Sequence, residues 1–149
     1  STFKVYLPVA SGDVLEEPRT EPRAASVAPR AGVRILLVED DPAVRRVTAQ
    51  LLARARYHVI EAASPTEALA LGADGVSLLL TDVVMPKMTG RELADQLVAK
   101  HPGLRVVYMS GYTENSVVHH GVLEPGIDFL AKPIVPSALL SMIDSVLRR

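Results

Sequence analysis

From residue 33 to the C-terminus, apolar runs of strand length alternate five times with segments of helical period, and no other feature constrains the fold as strongly. Residues 33–38 form a buried-strand run that ends in Glu39-Asp40. Asp41 then offers an N-cap and Pro42 a first helical position, and Val44, Val47, Leu51, Leu52 and Ala55 recur at helical spacing. Residues 57–62 predict a second strand. Ser64-Pro65-Thr66-Glu67 is a capping box with proline at its favoured place, opening a helix to about Leu71. Residues 77–81 predict a third strand, ending at Asp82. Thr89-Gly90-Arg91-Glu92 is another capping box ahead of Leu93, Leu97 and Val98, closed by Lys100-His101-Pro102-Gly103. Residues 105–109 predict a fourth strand, followed by Ser110-Gly111 and a weak helix at 114–120. Residues 127–131 predict a fifth, followed by Lys132-Pro133 and a helix with Leu139, Leu140, Ile143, Val146 and Leu147 on one face.

Strand–helix repeats of this kind imply an α/β fold with a doubly wound parallel sheet, because right-handed crossovers cover it on both sides. No sequence repeat accompanies the alternation, which excludes a solenoid. Lys+Arg of 16 against Asp+Glu of 17 leaves a net charge of -1, so there is no broad basic field for nucleic acid or an anionic membrane. The absence of cysteine excludes disulfide staples, a thiolate nucleophile and sulfur-ligated zinc, and suits a reducing, cytoplasmic setting. No apolar run approaches the roughly 20 residues that span a bilayer.

Ahead of this unit, residues 9–32 hold Pro18, Pro22 and Pro29 among charged residues and small alanines, with almost no large apolar residue after Leu15. Such composition cannot offset chain entropy by burial and predicts a flexible linker. Before it, Phe3, Val5 and Leu7 alternate with Lys4 and Tyr6 and stop at Pro8, a short strand within residues 1–8 that lacks a sheet of its own. The start has neither an initiator Met nor a signal pattern, so the chain reads as a piece of a longer protein.

Open parallel sheets bind ligands outside the carboxyl ends of their strands, where the strand order reverses. With the order 2-1-3-4-5 the reversal lies between strands one and three, which end in Glu39-Asp40 and Asp82. Strand four brings Ser110 to the same edge and strand five brings Lys132. Three crowded carboxylates repel one another unless a cation joins them, and Mg2+ suits such an oxygen set. The ion would orient an incoming phosphoryl group, Lys132 and Ser110 would stabilise its oxygens, and a carboxylate would attack phosphorus. Asp82, alone at a strand end between the acid pair and the lysine, is the candidate nucleophile.

These residues resemble the receiver domains of two-component response regulators. The resemblance covers residues 33–149. It rests on Leu37-Val38-Glu39-Asp40-Asp41, Thr81-Asp82-Val83-Val84-Met85-Pro86, Met109-Ser110-Gly111-Tyr112 and Phe129-Leu130-Ala131-Lys132-Pro133. It implies a flavodoxin-like (βα)5 fold in which Glu39, Asp40, Asp82 and the Val84 backbone carbonyl hold Mg2+. It further implies that Asp82 accepts phosphate from the phosphohistidine of a kinase or phosphotransfer domain, that Lys132 binds the phosphoryl group, and that Ser110 and Phe129 act as switch residues. The bond before Pro133 is typically cis in relatives. Glu at the first acid position and Ser at the switch are frequent variants. Val84 and Tyr112 occupy positions that tune hydrolysis of the aspartyl phosphate, and Val84, having no polar group to hold water, predicts slow self-hydrolysis. Phosphorylation is expected to alter the face made by the fourth helix, fifth strand and fifth helix, through which a dimer could form.

A second, shorter resemblance links Ser1-Thr2-Phe3-Lys4-Val5-Tyr6-Leu7-Pro8 to the closing strand of the ATP-binding domain of sensor histidine kinases. Together the two imply the C-terminal receiver of a hybrid histidine kinase, in a fragment that assists its own phosphorylation but is no kinase alone. Since the chain ends just after the last helix, output is expected to pass to other proteins, with no nucleic-acid or membrane contact by the fragment itself. Two other readings compete. One is a receiver-like docking module that has lost the switch. The other is a Mg2+-dependent aspartyl-phosphate phosphatase, which needs a second Asp where Val84 stands. A flavodoxin-type cofactor carrier lacks the phosphate-cradling loop after strand one. Phe129 also suits a strand side chain packed on the core. His119-His120 fits a surface pair better than a metal site, since helix neighbours point about 100° apart. His101 reads as a helix C-terminal charge, and His58 shows no role.

Overall fold

The computed structural model describes residues 32–111 and 126–149. Five strands, β1 (Arg34–Val38), β2 (His58–Ala62), β3 (Leu78–Asp82), β4 (Arg105–Ser110) and β5 (Asp128–Ala131), form one parallel sheet in the order β2-β1-β3-β4-β5. The helices are α1 (Pro42–Arg54), α2 (Pro65–Leu71), α3 (Gly90–Lys100) and the C-terminal α4 (Pro136–Arg148). The expected fold class and strand order are both present. Strand ends differ from the sequence reading by a residue, the ordinary scatter of element boundaries. The helix expected at 114–120, Tyr112, His119-His120, the strand within 1–8 and all of the 9–32 linker except Gly32 lie outside the described residues.

Because side chains alternate across a strand, each central strand feeds two cores. Leu36, Val38, Leu79 and Tyr108 pack with Ala68 of α2 and with Leu93, Ala94 and Leu97 of α3. Ile35, Leu37, Leu78, Leu80, Val107 and Met109 pack on the other face with Ala49 and Leu52 of α1 and with Leu139, Ile143 and Val146 of α4. This two-sided burial explains why the strands read as continuous apolar runs rather than alternating ones. No described helix is long and apolar enough to cross a membrane.

Local side-chain capping starts α1, α2 and α3 where the sequence placed them, whereas α4 begins at Pro136 without a side-chain cap. The Asp41 carboxylate accepts from the amides of Ala43 at 2.8 Å and Val44 at 3.2 Å, with Pro42 in the first turn. Thr89 and Glu92 complete both arms of their box. The Ser64 box closes differently: Ser64 accepts from the Glu67 amide at 3.1 Å, but Glu67 Oε2 accepts from Ala63 N at 2.6 Å, one residue before the cap. The core stripe of α1 also departs from expectation. Its buried residues are Thr48, Ala49 and Leu52, while Val47 is 54% exposed. Thr48 tolerates burial because its hydroxyl donates to the Val44 carbonyl at 2.8 Å. The Lys132–Pro133 bond is cis, as the resemblance implied.

Candidate functional site

With every strand parallel, all five carboxyl ends meet one edge of the sheet, and the reversal between β1 and β3 opens a notch there. The residue after β1 is Glu39, the last residue of β3 is Asp82, the last of β4 is Ser110, and Lys132 directly follows β5. Lys132 Nζ lies 2.6 Å from Glu39 Oε2 and 2.8 Å from Asp82 Oδ2, so one ammonium bridges two carboxylates from opposite sides of the reversal. Asp40 completes the notch. Glu39, Asp40 and Asp82 each bring a carboxylate oxygen to within 4.8 Å of the others.

Burial separates the roles of these acids. Glu39 is 0% exposed and Asp82 is buried, whereas Asp40 faces solvent. Burial pushes the Glu39 carboxyl above its ordinary pKa; Lys132 and the Asp41 amide oppose this, and the Asp82 charge adds to it. Burial also works against the Lys132 ammonium, but its hydrogen bonds to Asp82 and then Glu39 outweigh that effect and hold its pKa above the ordinary value. Glu39 Oε2 is buried, and its partner is the Lys132 ammonium at 2.6 Å. A buried carboxylate oxygen held by a single lysine and facing two further carboxylates is a donor set that a hard divalent cation would satisfy.

The nucleophile candidate is held by its backbone. Thr81 Oγ1 donates to the Asp82 carbonyl at 3.0 Å, and Gly90 of α3 packs so closely that a Cβ there would lie 2.0 Å from the same oxygen. In the sequence Gly90 is legible only as part of a capping box; its close approach to Asp82 gives no local signal. The Val84 amide reaches Asp82 Oδ1 at 3.4 Å, and the Val84 side chain is 42% exposed. Ser110 is buried and its carbonyl accepts from the Lys132 amide at 2.8 Å. Register pairs Tyr108 with Phe129 and Ser110 with Ala131, which sets Ser110 and Phe129 on the same sheet face of adjoining strands. Phe129 is partly buried against the core of that face. His101 lies 3.7 Å from Asp74, far from the notch in the chain and at the other end of α3.

Beside the notch runs a groove of about 310 Å3, mostly apolar, lined by Val44, Val47 and Thr48 of α1 and by Lys132, Pro133 and Ile134. The exposed Val47 forms part of its wall.

Comparison with known proteins agrees with this fold. The response regulator receiver domain model matches residues 35–144. The chain is 31% identical over 162 aligned positions to the sensor kinase CckA of Brucella abortus, covering all of this chain and 17% of that protein. It is 34% identical to the two-component response regulator ORR24 of Oryza sativa over 79% of this chain and 19% of that protein. The chain therefore spans under a fifth of the length of these curated relatives. Among solved structures, the receiver domain of the hybrid histidine kinase CckA superimposes with a TM-score of 0.65 at 36% identity, covering 76% of this chain and 98% of that one. A CheY-like receiver domain protein from Methanospirillum hungatei gives a TM-score of 0.69 at 31% identity, covering 78% and 94%.

Proposed function

The chain belongs to the response regulator receiver domain family of two-component signalling, and from that premise we propose that Asp82 takes a phosphoryl group from a phosphohistidine. The observation that carries this reading is Lys132 Nζ lying 2.8 Å from Asp82 with Glu39 and Asp40 beside it. An Asp82 carboxylate oxygen bonds to phosphorus as the P–N bond breaks. The bond electrons return to the imidazole, which leaves neutral when its other nitrogen carries a proton. Lys132 turns from the carboxylates toward the phosphoryl oxygens. Glu39, Asp40, Asp82 and the Val84 carbonyl would hold Mg2+, which when bound neutralises charge on the phosphoryl oxygens. The test is direct: with Mg2+ and a panel of histidine-phosphorylated proteins, intact mass should rise by one phosphoryl group. A chain that binds neither Mg2+ nor beryllium fluoride would instead be a docking module.

The added charge of about -1.5 to -2 draws the Ser110 hydroxyl toward the notch. Phe129, on the same face of the next strand, turns into the space vacated, and two states exchange population. The apolar groove against α1 is where we seat the helix that presents the partner's histidine, because Val47 and Ile134 offer apolar area within reach of Lys132. Similarity to a sensor kinase across the whole chain, residues 1–32 included, supports a place within a cytoplasmic portion of a hybrid histidine kinase.

Two predictions follow from single residues. Val84 gives an attacking water no polar anchor, so Val84→Asn should speed loss of the acyl phosphate severalfold; an unchanged decay rate, followed by intact mass, removes this idea. For Glu39, a pKa raised by burial means that metal uptake must first release a proton at pH values where an exposed glutamate is already ionised. Mg2+ affinity should fall as pH drops from neutral toward the carboxylate range, beginning at a higher pH than an ordinary glutamate would give, and Glu39→Gln should flatten that fall in calorimetric titration. The stability sign is the reverse of a salt-bridged acid with a depressed pKa. The Glu39 contribution is present at low pH and lost as pH rises through its raised value.

A further inference from the structure

Arg45, in the second turn of α1, donates from Nη1 to the Glu39 carbonyl at 2.6 Å, and its Nε lies 3.9 Å from Glu61 Oε2 on β2. Glu39 sits just past the end of β1. Its amide still pairs with the Ala62 carbonyl at 3.2 Å, while its own carbonyl lies past the last register pair of β1, at Val38, and takes a side-chain partner. The guanidinium supplies that partner, tying α1 to the ends of β1 and β2 at one point. That point is the peptide joining Glu39 to Asp40, the two acids of the notch. Tilting this peptide moves both carboxylates relative to Asp82 at once.

We infer that Arg45 is a positioning residue that fixes the Glu39–Asp40 peptide so that both side chains converge with Asp82 on a divalent cation. The inference rests on the Mg2+ role proposed above. It has a distinctive sign. A positive charge near a cation site, acting through space alone, weakens cation binding, so deleting it would tighten Mg2+. Deleting a positioning contact loosens it.

The experiment is calorimetric titration of Mg2+ into the unphosphorylated chain and its variants, with thermal unfolding recorded in parallel. Arg45→Met should bind Mg2+ about tenfold more weakly, the usual scale for loss of a contact behind the ligands. Arg45→Lys should recover most of this, to about threefold below wild type, since an ammonium can still donate to the carbonyl but not as a fork. Arg46→Met deletes the same charge from an exposed neighbour and should leave affinity equal or slightly higher. Affinity in Arg45→Met equal to or above wild type overturns the inference while leaving the function reading intact. If Arg45→Met fails to fold, Arg45→Lys decides, and a wild-type value there overturns it. Wild type that takes up no Mg2+ overturns both.

Discussion

Asp82→Ala takes up no phosphoryl group from a phosphohistidine donor, where the wild-type chain forms an acyl phosphate labile to both acid and base. The loss should reach the detection floor because, among the described residues, neither neighbouring acid of the notch is placed to stand in. Glu39 is fully buried and held against Lys132. Asp40 is exposed, follows β1 across the reversal from β3, and is not paired with Lys132, which instead contacts Glu39 and Asp82. The fold should survive the change. Lys132 keeps Glu39 as partner, and removing the Asp82 charge relieves the repulsion that adds to the raised pKa of Glu39. The thermal midpoint should therefore hold or rise even as uptake vanishes, which separates loss of chemistry from loss of structure. Incorporation persisting in Asp82→Ala, by intact mass with mapping of the labile group, would reject the assignment and reopen the docking-module reading.

Much of this site could be read in the sequence because its acids sit at strand ends, and strand ends in a parallel sheet share an edge whatever the loops do. Once residues 33–38 and 77–81 read as parallel strands, Glu39-Asp40 and Asp82 had to approach one another. Asp41-Pro42 and Thr89–Glu92 were equally legible, since caps are decided within four residues. What escaped was set by tertiary geometry. Which side of α1 faces the sheet depends on how the helix lies across β1 and β2, so the apolar spacing that includes Val47 does not reveal that Val47 is exposed and Thr48 buried. Arg45 escaped because it serves a backbone carbonyl, and a carbonyl has no sequence. Likewise, the direct pairing of Lys132 with Glu39 depends on the length of the glutamate side chain in a fully enclosed place, and enclosure is not a local property.

That pairing makes Lys132→Met the most informative single change, because its effects should run in opposite directions. In metal-free protein the variant leaves two buried carboxylates facing each other with no cation, so the fold should lose on the order of 2 kcal/mol at neutral pH. This is less than for a fully enclosed pair, since the lysine side chain keeps 18% of its surface and Asp40 opens the notch to water. Protonation relieves the same strain, so the deficit should shrink as pH falls through the carboxylate range, in thermal melts run across pH. Mg2+ should close it too. Without the ammonium on Glu39 and Asp82 the ion meets no competitor, and its affinity should rise severalfold by calorimetry. Phosphotransfer should nonetheless fall, by roughly 10- to 100-fold, because the phosphoryl oxygens lose a mobile cation that can follow them as charge shifts onto Asp82. If Mg2+ affinity and phosphotransfer decline together, Lys132 is a structural strut for the β5 end. Tighter metal with slower transfer leaves only a lysine that neutralises the resting notch and then hands its charge to the incoming group.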